Sequence, residues 1–148
     1  MLAVAAAAQE PKLAPNAPQD KPFSAGTTRQ QQQFERAIAP HVARAKATYP
    51  QAKERFLRGL PSGQSFFVTT RLVDASGNFE QVFIAVQAIV DGQVRGRIWS
   101  PLHAVKGYKY KDAYAFPEER ILDWLIAKPD GSEEGNFVGK FLDTYQGQ

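Results

Sequence analysis

Apolar residues recur at helical spacing through Phe34, Ile38, Val42, Ala45 and Tyr49, which marks one face of a helix. Thr27 or Thr28 is placed to cap its start near Arg29. Pro40 removes a backbone donor, so a kink or restart is expected there. Pro50 suits the first turn of a second segment carrying Ala52, Phe56 and Leu57, which Gly59 and Pro61 end. From Ser65 the period changes to two. Phe66, Val68, Thr70 and Leu72 alternate with Phe67, Thr69 and Arg71, as in a strand with one buried face. A turn at 74–78 leads to a long second strand over 79–90, rich in Val, Ile and Phe. Asp91-Gly92 is a hairpin signal, and 93–99 returns as a third strand, where Gly96 suggests a bulge or sharp bend.

The second half repeats this punctuation. Residues 100–111 form a loop, 112–116 a short strand, and Pro117-Glu118-Glu119 a tight turn. Ile121, Leu122, Trp124, Leu125 and Ile126 then form a dense apolar run, closed by Pro129-Asp130-Gly131. Its length and boundaries predict a strand buried on both faces. Phe137, Val138, Phe141, Leu142 and Tyr145 return to helical spacing, with Asn136 suited to cap a short closing helix. The fold class is therefore α+β: an N-terminal kinked helix or helix pair on a strongly bent antiparallel sheet of about five strands, then a short C-terminal helix.

Composition fits that picture. The chain has 148 residues, 43% hydrophobic and 22% charged, enough for one domain with a real core. A net charge of +3 and a sequence pI of about 9.2 are too mild to argue for nucleic acid. The absence of cysteine excludes disulfides, thiolate nucleophiles and cysteine-ligated metals. Met1-Leu2-Ala3-Val4 and the four alanines to Ala8 resemble the end of a signal-peptide core, which implies a periplasmic or secreted protein. Pro11, Pro15, Pro18 and Pro22, among small and polar residues, mark a disordered linker. The expected organisation is a signal-peptide remnant at 1–8, a linker at 9–26 and a single domain at 27–148.

Chemistry-bearing residues are sparse. His41 and His103 are the only imidazoles, without metal-ligand spacing, and no serine stands in a nucleophile elbow. Neither a metal nor a cofactor is expected. Asp123 beside buried apolar groups needs a partner or a shifted pKa. With Glu134 across the predicted turn it forms the best carboxylate pair for acid–base work, the basis of a hydrolase reading. The loop at 103–111 interleaves His103, Lys106, Tyr108, Lys109, Tyr110 and Lys111, a candidate contact surface.

Several segments resemble the bacterial YegJ-like proteins, a domain family of unknown function. They are Ala43-Arg44-Ala45-Lys46-Ala47-Thr48-Tyr49-Pro50, Phe66-Phe67-Val68-Thr69 and Gly96-Arg97-Ile98-Trp99-Ser100-Pro101. The most specific are Ile121-Leu122-Asp123-Trp124 and Gly135-Asn136-Phe137. Val138 stands where the family usually has threonine, and Lys111-Asp112 where a Gly-Asp turn is expected. The resemblance implies a small α+β domain, often secreted, with Pro50, Asp123, Trp124, Gly135, Asn136 and Phe137 as structural motif residues. It brings no catalytic residues.

These readings favour a non-catalytic, exported, monomeric binding domain. Its partner would be a protein or an anionic envelope component, and nucleic acid is not favoured. An immunity-like inhibitor of a toxin is the alternative, and a hydrolase using Asp123 with Glu134 ranks below both.

Overall fold

A computed structural model describes residues 28–145, so the expected signal-peptide remnant and linker lie outside the described residues. Helix α1 (Thr28–Arg58) is followed by strands β1 (Ser65–Val73), β2 (Phe79–Val90), β3 (Gln93–Ile98) and β4 (Ala113–Pro117). A single 3-10 turn (Glu118–Arg120) leads to β5 (Asp123–Ala127) and β6 (Glu133–Gly135), and α2 (Phe137–Leu142) closes the described chain. The sheet is antiparallel throughout in the order β4-β3-β2-β1-β5-β6. The four-strand meander is thus extended on its β1 side by a hairpin from the C-terminal part. The three-residue β6 joins the five strands expected from sequence.

Alternation along the strands builds two apolar layers. On the face toward α1, Phe66, Val68, Leu72, Val82, Ile84, Val94, Ile98, Phe116, Trp124 and Ile126 pack with Ala45 and Ala52. The opposite face carries a smaller cluster of Phe67, Phe83, Ala85, Leu125 and Ala127. This makes β5 buried on both faces, as its unbroken apolar run implies. The irregularity suggested by Gly96 falls on its partner strand, where the register slips between Val86 and Ala88. That slip lets Val86 and Ile89 both reach the α1 side. A Cβ on Gly96 would lie 2.2 Å from the Ala85 carbonyl oxygen, so glycine allows the strands to close at this point.

Helix α1 corrects the expectation of a restart: it runs through Pro40 and Pro50 without a break. Both prolines are exposed. Each removes one amide donor, and on the solvent side the carbonyl left over can bond to water. Burial of Ala45, Ala52, Phe34 and Ile38 on the opposite side holds the helix in place. Gly59, with φ of +98°, and its N–H bond to the Phe56 carbonyl end it, as the sequence indicates.

Candidate functional site

Asp123 is fully buried and holds two elements together. One carboxylate oxygen accepts from the Trp124 N–H at 2.8 Å, the other from the Val138 N–H at 2.7 Å. The second bond satisfies a donor in the first turn of α2. Burial pushes the carboxyl up to about 6, against the opposing pull of backbone N–H bonds from Val138, Trp124 and Phe137. The capping role expected of Asn136 therefore belongs to Asp123. Asn136 sits at a left-handed φ of +54° with no side-chain cap bond. Its Nδ2 donates to Glu133 Oε1 at 2.8 Å. The missed signal was spatial: a β-strand carboxylate caps a helix fourteen residues later.

The neighbouring motif residues have matching roles. Trp124 is 7% exposed, donates from Nε1 to Thr48 Oγ1 at 2.9 Å, and meets Phe137 edge-on at 6.0 Å. Gly135 lies flat against this indole. A Cβ there would stand 2.4 Å from the Trp124 carbonyl oxygen, and its φ of +77° also favours glycine. Pro50 is exposed on α1.

Glu134 is not brought to Asp123. Glu134 pairs in register with Ile126, and strand alternation sends Ile126 and Asp123 to opposite faces. Glu134 is instead clamped by Arg55, at 3.0 and 2.7 Å, and by Lys128 at 3.1 Å. The Arg55 bond, with Lys128 beside it, outweighs burial and holds the Glu134 carboxyl down at about 2. Glu118 is similarly engaged. Burial pushes it up, but hydrogen bonds from Tyr49 at 2.6 Å and Lys53 at 2.9 Å hold it below the usual range. His41 stacks on Phe141 with centroids 4.4 Å apart. No metal-competent group of three His, Cys, Asp or Glu occurs among the described residues.

The loop at 103–111 is anchored rather than loose. The buried Glu80 Oε1 accepts from the backbone N–H groups of His103 at 2.8 Å, Ala104 and Val105 at 2.9 Å. Asp74 Oδ2 accepts from the Lys106 N–H at 3.0 Å, and Asp112 Oδ2 from the Lys109 N–H at 2.9 Å. Val105 is buried, and Tyr108 packs edge-on against Tyr114 at 5.9 Å. Tyr110 rests on Trp99, and the Lys111 ammonium lies over both rings at 5.5 and 5.6 Å. His103, Lys106, Lys109 and Tyr110 remain exposed. Glu80, an acid inside an apolar strand, was the readable but missed clue to this anchoring.

A second feature had no sequence signal as a site. At roughly 100° per residue, one flank of α1 presents His41, Arg44, Thr48 and Arg55, the other Glu35, Ala39, Val42 and Lys46. The first flank is closed. His41 stacks on Phe141 and Arg44 lies over the Phe137 ring at 4.7 Å, while Phe34 packs on Val138 together with Ile38 and Val42, which border both flanks. The second flank faces the end of β1 and the turn before β5 across an open groove of about 830 Å³. Its walls are Ile38, Ala39, Val42, Ala43, Val73 and Leu122, and its charged groups are Glu35, Lys46, Arg71 and Arg120. Smaller depressions of about 350 Å³ and 230 Å³ share Glu35 and Lys46 with it. Together they follow α1 from Gln32 to Tyr49, about 26 Å at the helical rise. Comparison with protein-family models, curated proteins and solved structures finds no match for this chain.

Proposed function

We propose that this chain is a non-catalytic binding module, acting after export, whose site is the groove on the open flank of α1. The observation that carries the reading is the groove itself: a concave surface of about 830 Å³, walled by apolar side chains with a few charged groups. That size and lining match the usual form of a small-ligand site. The chemistry-bearing residues are committed to architecture elsewhere. Asp123 caps α2, Glu134 and Glu118 are in ion pairs, and His41 is stacked. The anchored loop at 103–111 offers exposed side chains, His103, Lys106, Lys109 and Tyr110.

The test uses Nile red, a neutral dye that fluoresces in apolar surroundings, with the full chain. Ala39 and Ala43 line the groove and are exposed, so bulk added there fills it without disturbing the core. Dye binding that is lost in Ala39→Trp and Ala43→Glu, with unchanged denaturation midpoints, supports the reading. Dye bound equally by wild type and both variants overturns it.

A further inference from the structure

The proposed groove is lined unevenly in charge. Its main chamber holds three cations, Lys46, Arg71 and Arg120, against one carboxylate, Glu35. Glu35 is spent on Arg71 in an ion pair, and Arg71 also lies over the Phe79 ring at 4.7 Å. Lys46 and Arg120 have no ion-pair partner among the described residues, and both are exposed beside the apolar walls. The one further carboxylate close by without an ion pair, Glu119, lines the small depression beyond Lys46 and not the main chamber.

A site with apolar walls and two uncompensated cations discriminates against both neutral and cationic amphiphiles. A neutral chain gains only apolar burial. A cationic one meets like charge. An anion gains burial and charge-assisted hydrogen bonds together. From this, and resting on the groove reading above, we infer that the occupant is a single-chain amphipathic carboxylate. Its chain would lie along Ala39, Val42, Val73 and Leu122, with its head between Lys46 and Arg120. The main chamber, at about 830 Å³, is within the range that holds small ligands, so a twelve-carbon chain fits without reshaping the backbone.

The experiment displaces Nile red from the full chain with dodecanoate, dodecan-1-ol or dodecyltrimethylammonium, each below its micelle concentration. Dodecanoate is expected to bind at least about tenfold more tightly than the cationic analogue. Lys46→Gln with Arg120→Gln should weaken dodecanoate by about tenfold and leave dodecan-1-ol unchanged. Equal displacement by all three, with the dye still lost in Ala39→Trp, overturns the carboxylate inference and leaves the groove reading standing. Dye binding that ignores Ala39→Trp overturns the groove reading itself. Loss of dodecan-1-ol binding in the Gln variants would show that the two side chains only shape the wall, and would also overturn the inference.

Discussion

The two flanks of α1 are built from the same kind of helix surface and end in opposite states. On one, α2 lies against His41 and Arg44, held there by the Asp123 carboxylate. On the other, Ala39, Val42 and Ala43 look across a groove at Val73 and Leu122. The difference does not lie in helix amphipathicity, which serves both sides. It lies in whether a later segment is tied down beside the helix. A buried carboxylate, bonded to backbone N–H groups on two elements, ties α2 down there beside the ring contacts of His41, Arg44 and Trp124. On the other flank no described segment is tied down in this way, and apolar wall is left lining the groove.

The largest effects should come from breaking the closed flank. Trp124→Ala removes the indole that Gly135, Phe137 and Thr48 pack around, and should cost roughly 3–5 kcal/mol in chemical denaturation. Val138→Glu places a charge at a position 2% exposed and should destabilise by at least about 3 kcal/mol. A wild-type denaturation midpoint for either variant would mean the flank is not closed as described.

Asp123 gives the next effect, through pH. Its folded-state pKa of about 6 lies above the ordinary 3.8, so the folded protein holds the proton more tightly than the unfolded chain. The resulting stability is fully present below 3.8 and is lost as pH rises through 6, a change on the order of 3 kcal/mol. Glu134 and Glu118 have depressed values and act in the other direction, at and below 4.5. Between pH 4.5 and 6 stability should therefore fall in wild type and stay flatter in Asp123→Asn. Parallel curves for the two proteins would show that Asp123 does not titrate in this window.

The smallest effect belongs to the open flank. Ala43→Glu adds the same chemical group as Val138→Glu, on the same helix layer but facing the groove, and should change stability by less than about 0.5 kcal/mol. A large loss there would mean that the groove is packed shut in solution.

Local pattern made much of this architecture readable. Period-two alternation marked β1, although both its faces are buried and not one as expected; Val, Ile and Phe content marked β2, Asp91-Gly92 marked the β2–β3 hairpin with both φ values positive, and the apolar run 121–126 marked a doubly buried strand. The capping of α2 was not readable, because Asp123 reaches it from another element while Asn136 occupies the expected position. Of the two expectations for α1, one helix or a pair, the single helix through Pro40 and Pro50 sets aside only the pair, since propensity counts a lost donor and not which side of the helix it faces. The groove was the least legible. Neither Lys46 nor Arg120 stands in a motif that marks a site. Only the fold brings both beside Ala39 and Ala43, whose four-residue spacing next to the apolar stripe was the faint local trace.

Strand order also has a consequence for how the chain is made. β1 is the first strand in sequence, yet in the finished sheet it is interior, flanked by β2 and by β5. Its partner on that side arrives late: Val68 waits for Trp124. During synthesis the meander of β1 to β4 can assemble from neighbouring segments while Phe66, Phe67 and Val68 border an unpaired edge. That interval is when the nascent chain is most open to pairing with another copy of itself. The arrival of Asp123 to Ala127 ends it, so the segment that closes one flank of α1 also ends the period of greatest exposure to misassembly.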